Sequence, residues 1–451
     1  MLSQAVAHYH DLLAVESILD DSRAVLDKGL ESSRLIFGGR RLSPYLRPHF
    51  VTEKDFERVT AICEIVWSAI QKVKDAAILD ARLVDELGLT EIEKELVAID
   101  PGYAPVSPTA RLDSFLTDDA YSFVELNGES PAGIAFADTA SEIFLSLPVM
   151  QRFAQSYAVR ALEGRHLLLD VLLRSYEEYL GRKPERPPQI AIVDLKDLPT
   201  QEEFVMFKNY FESQGYPAAV CTPADLEFDG EVLRCGEFEV DIVYKRLLVN
   251  EYLPIMKDQP ALLDAYRAHK ICMVNSFRSK LIHKKALFAV LTSERHAHLF
   301  SASERQTIAQ HVPWTRSVRE GQTVFRDANV DLLSFISKQR DQLVLKPNDD
   351  YGGHGIYIGW ASTESEWHDA MQIALKNGDY LVQERVPTAR EIFPALQSDN
   401  SVLFTEQLVD LDPMLFFGKV GSAFTRLSYT ELANVSSGGG MVPTFIINQK
   451  K

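Results

Sequence analysis

Four polar residues in this sequence have the types and the spacing of a metal and phosphate site: Arg111, Asp113, Glu125 and Asn127. Two carboxylates and an amide oxygen are the hard oxygen ligands that Mg²⁺ takes when nucleotide phosphates complete its coordination. An arginine beside them suits a transferred phosphoryl group, because a guanidinium forms paired hydrogen bonds with phosphate oxygens. The alternative is a hairpin whose charges are only solvated.

The elements that must position these residues are two stretches in which apolar and polar side chains alternate, 110–115 and 121–126. Successive side chains of a strand point to opposite faces, so a period of two predicts two short strands. Residues 117–119 lie between them and predict a turn. In such a hairpin the arginine and the aspartate share one face, and so do the glutamate and the asparagine.

A second group of candidates is a basic segment in an otherwise acidic chain. Its polar residues fall within eleven positions: Asn275, Arg278, Lys280, Lys284 and Lys285. The stretch HKKALFAVL, which contains the last two lysines, predicts the start of a helix. This concentration of positive charge suits phosphates, although lysines on a helix surface are commonly only solvated.

A glycine-rich loop follows a strand that carries a lysine. The stretch LVLKPNDDYGGHGIYIG places Lys346 on the first strand, Gly352, Gly353 and Gly355 in the loop, and IYIG on a second strand. Glycine lets backbone amides approach phosphate oxygens, and the lysine supplies a positive charge. The spacing matches neither a Walker A motif nor a GxGxxG dinucleotide fingerprint. We therefore predict a phosphate-binding hairpin.

Two later segments complete the candidate nucleotide site. YLVQERV predicts a buried strand that ends in Gln383 and Glu384, where backbone and side-chain groups would hydrogen-bond an adenine edge. The C-terminal part alternates again and predicts several antiparallel strands. Residues 436–440, between the last two of them, predict an active-site loop in preference to a flexible linker.

Composition and charge limit the class of protein. The chain has 451 residues, 46% hydrophobic and 25% charged, which is ordinary for a folded protein of two or three domains. A net charge of −17 disfavours nucleic acid or an anionic membrane as a partner. The four cysteines show no CxxC spacing, so we expect buried reduced thiols. The N-terminus does not resemble a signal peptide, and we expect a cytoplasmic protein.

The chain divides into four predicted parts. Residues 1–100 are predicted to be helical, with Thr52 as an N-cap. Residues 101–185 hold the hairpin and one long helix from Gln151 to Gly181. Residues 186–255 predict a β-α-β unit and then a strand that ends in Lys245 and Arg246, which are candidate contacts for an anionic substrate or merely solvated cations. Residues 256–451 form the nucleotide-binding part.

The order of these parts resembles the ATP-grasp superfamily, in a circularly permuted form, because the carboxylate strands precede the β-α-β unit. The layout is most similar to the synthetase domain of glutathionylspermidine synthase and its uncharacterised relatives. The matching motifs are Arg-x-Asp followed by Glu-x-Asn, the helix start Lys285-Ala286-Leu287, and the dipeptide Lys346-Pro347 on a predicted strand. The resemblance runs from about residue 100 to the end and implies an α/β (α+β) fold with a pre-ATP-grasp β-α-β domain.

The resemblance also implies roles for individual residues. Mg²⁺ would be held by Asp113, Glu125 and Asn127, the transferred phosphate would contact Arg111, and Arg426 would lie near the reacting centre. The nucleotide would be bound by Lys285, Lys346, the glycine loop, Gln383 and Glu384. The glycine loop is longer than in the family and the first 100 residues match poorly, so specificity for glutathione and spermidine is not carried over.

These observations predict an ATP- and Mg²⁺-dependent ligase that joins a carboxylate to an amine through an acylphosphate. Its partners would be a small-molecule or peptide carboxylate and an amine. A small-molecule kinase with the same nucleotide site is one alternative, and a nucleotide-binding protein without turnover is another. The oligomeric state does not follow from the sequence.

Overall fold

The computed structural model describes residues 1–350, 352–397, 399, 401–431 and 439–450, and the chain begins with a mainly helical region. As predicted, Thr52 caps the longest helix: its hydroxyl accepts a hydrogen bond from the Asp55 amide at 3.0 Å. The apolar positions of that helix, such as Val59 and Val66, are buried. The elements are α1 Leu2–Leu13, α2 Glu16–Ser33, β1 Ile36–Phe37, β2 Arg40–Arg41, β3 His49–Thr52, α3 Glu53–Leu79, α4 Ala81–Leu87 and α5 Glu91–Ala98.

The predicted hairpin is present and is followed by three helices and a strand. These elements are β4 Thr109–Leu116, β5 Tyr121–Asn127, α6 Ile134–Ser146, α7 Pro148–Phe153, β6 Tyr157–Ala161 and α8 Arg165–Leu180. The prediction of one helix from Gln151 to Gly181 is wrong, because β6 separates α7 from α8. Residues of β6 pair with the last strand of the chain, and this pairing outweighs the helical periodicity of the segment.

A parallel sheet forms the next region. Its elements are β7 Ile190–Val193, α9 Gln201–Ser213, β8 Ala218–Cys221, β9 Leu226–Phe228, β10 Leu233–Cys235, β11 Phe238–Glu239, β12 Ile242–Lys245, α10 Val249–Tyr252, α11 Ala261–Arg267 and β13 Cys272–Val274. The strand order is β13-β12-β7-β8, with all neighbours parallel. The predicted β-α-β unit is β7, α9 and β8. Because β13 joins the sheet, the sheet continues past residue 255.

The glycine-rich stretch lies in a four-stranded antiparallel sheet, β14-β19-β17-β18. The elements of this region are α12 Lys280–His283, α13 Ala286–Leu291, α14 Ala302–His311, β14 Thr315–Ser317, β15 Gln322–Phe325, β16 Ala328–Asp331, α15 Leu332–Lys338, β17 Leu343–Pro347, β18 Tyr357–Ile358, α16 Glu364–Asn377 and β19 Tyr380–Glu384. The predicted hairpin is β17 and β18, which pair through Val344 with Ile358 and Leu345 with Tyr357.

The C-terminal strands complete the largest sheet. They are β20 Ala389–Leu396, β21 Val402–Phe416, β22 Lys419–Ser428, β23 Gly440–Val442 and β24 Thr444–Gln449. The sheet order is β23-β22-β21-β4-β5, and β20 pairs with the first half of β21. The hairpin near residue 120 therefore lies beside strands from the end of the chain, with Arg111 opposite Met414. β24 joins a separate sheet with β3 and β6.

Apolar side chains form the buried contacts between these sheets and the helices. One buried cluster joins α1 and α2 to α6, the parallel sheet and the C-terminal strands, and includes Tyr9, Phe144 and Phe445. A second joins α3 to the β4–β5 hairpin and α13. Among the helices of the described residues, none combines the length and the apolar character needed to cross a membrane.

Candidate active site

The β4–β5 hairpin brings the four predicted residues of the metal and phosphate site together. Its register places Arg111 opposite Asn127 and Asp113 opposite Glu125. The register shifts after Asp113, and the Ser114 amide donates a hydrogen bond to Asp412 Oδ1 at 3.3 Å. Such a bulge re-aims side chains, and here it ties the hairpin to β21.

The Asp113 carboxylate lies at the centre and is saturated with hydrogen bonds. Arg111 donates to both of its oxygens, Nε to Oδ1 at 2.7 Å and Nη2 to Oδ2 at 3.0 Å. Asn127 Nδ2 donates to Oδ1 at 2.9 Å, and Arg426 Nη2 donates to Oδ2 at 2.7 Å. A metal ion would bind this carboxylate only in exchange for an arginine.

Two further carboxylates surround Arg426, and the sequence analysis missed both. On β21, Asp410 Oδ2 accepts a hydrogen bond from Arg426 Nη2 at 2.5 Å, and Asp412 Oδ2 lies 2.9 Å from Arg426 Nε. Burial, reinforced by the neighbouring carboxylates and only partly opposed by Arg426, raises the pKa of Asp412 well above its usual value. The available signal was the pair of acids two residues apart in the otherwise apolar second half of β21.

Lys285 and Lys346 lie on either side of Glu125. Lys285 Nζ is 3.4 Å from Glu125 Oε2 and donates to the Asp350 carbonyl, while Lys346 Nζ donates to Gln383 Oε1 at 2.7 Å. Burial would raise the pKa of Glu125, but the two ammonium groups outweigh it and hold that pKa far below its usual range. Burial also lowers the pKa of Lys346 to about 8, against the opposing effect of Glu125.

The glycine loop lies next to these lysines. Gly352 and Gly353 have φ angles of 71° and 78°, in the left-handed region that favours glycine. Both line the same cavity as Lys285 and Lys346. Gly355 does not line it and packs against Tyr380, whose hydroxyl would lie 2.7 Å from a Cβ at this position.

Gln383 and Glu384 also line the cavity, but their side chains already have partners. Gln383 Nε2 donates to Thr315 Oγ1 at 3.0 Å, and its oxygen accepts from Lys346. Glu384 forms an ion pair with Arg326 at 2.5 Å. The polar atoms of these two side chains are therefore bound within the protein.

The lysines of the predicted basic segment are all largely buried, but only one of them lines the cavity. Lys284 is buried between Glu93 at 3.0 Å and Asp349 at 2.7 Å. Lys280 is buried against Glu129 at 2.9 Å and the same Asp349 carboxylate. Neither lysine lines the cavity, whereas Lys285 does.

The two candidate substrate contacts also separate. Lys245 is wholly buried, donates to the Leu247 carbonyl at 2.8 Å and does not line the cavity. Arg246 lines the cavity and donates to the Pro131 carbonyl at 2.6 Å, while its Nε is buried without a hydrogen-bond partner among the described atoms. Asp194, which the sequence analysis missed, lines the same part, and burial raises its pKa to about 7 against the opposing effect of Arg246.

One cavity of about 540 Å³ is lined by residues from the β4–β5 hairpin, the glycine loop, β19, β21, β22 and the segment after β12. Its glycine-loop side is lined by Lys285, Val344, Lys346, Gly352, Gly353, Ile356, Ile358, Trp360, Gln383 and Glu384. Its parallel-sheet side is lined by Phe37, Leu42, Ser130, Gly133, Phe136, Asp194, Leu198, Arg246, Leu248, Glu251 and Phe424. Between the two sides lie Arg111, Asp113, Glu125, Asn127, Asp410 and Arg426.

A preformed metal site is not present in the described part of the chain, where no group of three or more His, Cys, Asp or Glu side chains has the required arrangement. Glu125 and Asn127 nevertheless fit Mg²⁺ by type, because both line the cavity and carry oxygen atoms. Asp113 fits once an arginine releases it. Residues 432–438, which include most of the predicted active-site loop, lie outside the described residues.

Comparisons with known proteins relate this chain to others by fold. No protein-family model matches the sequence, and no curated protein matches it. A glutathione synthetase-like effector from Globodera pallida, in its apo form, has a similar structure with a TM-score of 0.60 and 14% identity, over 96% of this chain and 97% of that one.

Weaker structural matches include a putative gamma-glutamylcysteine synthetase from Methylobacillus flagellatus, with a TM-score of 0.43 and 8% identity over 85% of each chain. An ATP-grasp RimK domain protein from Sphaerobacter thermophilus matches with a TM-score of 0.25 and 15% identity, over 58% of this chain and 90% of that one. At these identities the comparisons show a likeness in fold between this mixed α/β chain and the Globodera pallida protein.

Proposed function

We propose that this protein is an ATP-dependent, ADP-forming ligase that joins a carboxylate to an amine through an acylphosphate. The observation that supports the proposal is the single cavity. It places lysines and a glycine loop suited to nucleotide phosphates on one side, and Asp194 and Arg246 on the other side. Arg111 and Arg426 lie between them, where a phosphoryl group would pass from one side to the other.

The fold layout also supports the resemblance to circularly permuted ATP-grasp enzymes. The hairpin with Asp113 and Glu125 comes early in the chain but pairs with β21, next to β22 with Arg426. A permuted chain would have this pairing, because its carboxylate strands are moved to the front while the sheet is kept. The coarser likeness in fold to a glutathione synthetase-like protein supports the ligase proposal and does not bear on the permutation.

In the proposed mechanism, Lys285 and Lys346 bind phosphate oxygens of the nucleotide and neutralise their charge. The amides of Gly352 and Gly353 approach the same phosphates. Mg²⁺ held by Glu125 and Asn127, and by Asp113 after arginine exchange, would supply further neutralisation when bound. Positioning and charge neutralisation account for most of the catalysis of phosphoryl transfer, so no protein nucleophile is needed.

The arginines between the two sides hold the acceptor. The guanidinium groups of Arg111 and Arg426 donate hydrogen bonds to Asp113. A substrate carboxylate that replaced Asp113 would accept these hydrogen bonds instead. The substrate carboxylate attacks the terminal phosphorus of ATP and displaces ADP. The amine then attacks the acyl carbon of the acylphosphate, loses a proton and displaces phosphate. Arg246 lines the parallel-sheet side of the cavity and would bind an anionic group of the amine substrate.

The test is a screen for ADP release with MgATP and pooled amino acids, dipeptides and dicarboxylic acids, in the presence and absence of hydroxylamine. Hydroxylamine traps an acylphosphate as a hydroxamate. We expect ADP and hydroxamate in equal amounts. Full-length protein that shows neither ADP release nor a thermal shift with MgATP would contradict the proposal, since a bound ligand must raise apparent stability.

Isotope labelling separates the ligase from a kinase. With ¹⁸O in the substrate carboxylate, a ligase transfers one labelled oxygen to inorganic phosphate, because the acyl carbon–oxygen bond breaks. A kinase leaves all of the label on a phosphorylated product. Label in phosphate is the expected result, and a stable labelled phosphoester or acylphosphate without free phosphate would establish the kinase instead.

A further inference from the structure

The parallel-sheet side of the cavity has an apolar wall of five side chains: Phe37, Leu42, Phe136, Leu198 and Phe424. Leu42, Phe136 and Phe424 are at most 5% exposed, so their positions are fixed by the surrounding core. Phe37 and Leu198 are half-buried and line the cavity with their remaining surface. Apolar side chains around a few polar groups are typical of a small-molecule pocket.

Segments that are distant in sequence come together at this wall. The β1–β2 hairpin carries Phe37 at its end, and a Cβ on Gly38 in its turn would lie 4.0 Å from Pro199 Cβ. At the foot of the hairpin, Arg34 Nε is 3.6 Å from Glu202 Oε2 on α9. The N-terminal region therefore closes against the loop that follows β7.

The wall adjoins the residues that would hold the reacting carboxylate. Phe424 is two residues before Arg426 on β22, and its ring centre is 5.9 Å from the Arg111 guanidinium carbon. Gly133, with φ 107°, lets the backbone pass the same ring, since a Cβ there would be 2.6 Å from Phe424 Cδ2. A carboxylate bound by the two arginines would thus place its neighbouring carbon atoms against an apolar surface.

We infer that the carboxylate substrate bears a branched or aromatic hydrocarbon group that binds against Phe37, Leu198 and Phe424. This inference rests on the proposed ligase function and adds the chemical class of the acid. A hydrocarbon group in an apolar pocket typically changes kcat/KM by about 10- to 200-fold relative to a shorter analogue. We expect that range between leucine or phenylalanine and alanine.

The experiment measures hydroxamate formation with MgATP and hydroxylamine, for leucine, phenylalanine, alanine, serine and glutamate in turn. Because hydroxylamine serves as the amine, the readout reports the acid alone. Phe37→Ala and Leu198→Ala are compared with wild type. Ile36→Ala is the matched control, since Ile36 is the neighbour of Phe37 on β1 and does not line the cavity.

The expected result is a preference for leucine and phenylalanine in the wild type, reduced about 10-fold or more in Phe37→Ala and Leu198→Ala and kept in Ile36→Ala. Hydroxamate formed equally well from serine or glutamate, or a preference unchanged in both cavity variants, would overturn the inference and leave the ligase proposal standing. If leucine supported ADP release as the amine and not as the acid, that result would also overturn the inference. The absence of any hydroxamate and any ADP would overturn both.

Discussion

The two sides of the cavity are built in different ways. On the glycine-loop side, Lys346 and the glycines come from one hairpin, and Lys285 comes from one helix start. On the parallel-sheet side, the lining residues come from the N-terminal hairpin, the segment after β5, the loop after β7, the segment after β12 and strand β22. The first side comes from one stretch of about 100 residues, 285–384, whereas the second exists only after five regions of the chain have packed together.

The two sides also bury ionisable groups of opposite type. On the glycine-loop side burial lowers the pKa of the Lys346 ammonium to about 8, and a bound phosphate would stabilise its charged form. On the parallel-sheet side burial raises the pKa of Asp194 to about 7. Burial therefore favours the neutral form of a base on one side and of an acid on the other.

The largest effect is expected from Glu125→Gln, which removes a charge between the two sides. The variant loses a proposed metal ligand and leaves Lys285 and Lys346 without their shared carboxylate. We expect turnover to fall by about 10²-fold or more, the usual loss for one transition-state contact. ADP release measures it, with Glu185→Gln, an exposed glutamate, as the control. Unchanged turnover would show that the reaction does not take place at Glu125, between the two sides of the cavity.

The comparison also explains what the sequence could predict. The β4–β5 hairpin follows directly from its alternation and turn residues, and the structure confirms it, as it does the glycine hairpin and the β-α-β unit. Each depends on short-range patterns. The error over residues 151–181 has the opposite origin, because β6 is a strand only through pairing with β24.

The site shows the same limit. Lys284 and Lys285 are adjacent and chemically alike in sequence, and both are largely buried, yet one side chain binds Asp349 and the other lines the cavity. Asp410 and Asp412 were missed because their importance comes from Arg426 on the neighbouring strand. Phe37 gives no signal at all, since its role depends on where the N-terminal hairpin packs.

The next largest effect is expected from Lys346→Met, on the nucleotide alone. Loss of a charged hydrogen bond to phosphate typically costs a factor of about 10 to 100, and we expect this in the KM for ATP with little change in the KM for the acid. Because the pKa of Lys346 is about 8 in the free protein, phosphate binding raises it and takes up a proton near pH 8. Calorimetry at pH 8 in buffers of different ionisation enthalpy measures that uptake.

The same experiment on Lys346→Met supplies the control. The variant should bind nucleotide more weakly and without the proton uptake of the wild type. Equal uptake in both proteins would mean that another group titrates. An increase in the KM for the acid as large as that for ATP would remove the distinction between the two sides.

A smaller effect, confined to the parallel-sheet side, is expected from Asp194→Asn. Its raised pKa means that the folded protein keeps a proton which the unfolded chain releases near pH 4, so this group lowers stability as pH rises from about 4 to 7. The variant lacks that dependence. Its thermal midpoint should gain about 1–4 °C on the wild type across this range, as measured by calorimetry.

Binding should show the matching selectivity. Asp194→Asn should change the KM for the carboxylate or the amine and leave the KM for ATP within about twofold, since Asp194 lies away from the glycine loop. A thermal midpoint that follows the wild type at every pH would contradict the assigned protonation. A change in the KM for ATP alone would place Asp194 on the wrong side of the cavity.

The smallest effect on turnover is expected from Lys284→Gln, although it comes from the same basic segment as Lys285. Lys284 is buried between Glu93 and Asp349, and its loss leaves those carboxylates short of a partner, which is typically strongly destabilising. The midpoint of thermal unfolding should fall clearly, while the KM for ATP at 25 °C changes by less than about threefold, because Lys284 does not reach the cavity. The matched variant Lys285→Gln should do the reverse, with weaker ATP binding and a smaller loss of stability. If both variants weakened ATP binding equally, Lys284 would also belong to the nucleotide site. Its ion pairs with Glu93 and Asp349 would then not distinguish its role from that of Lys285.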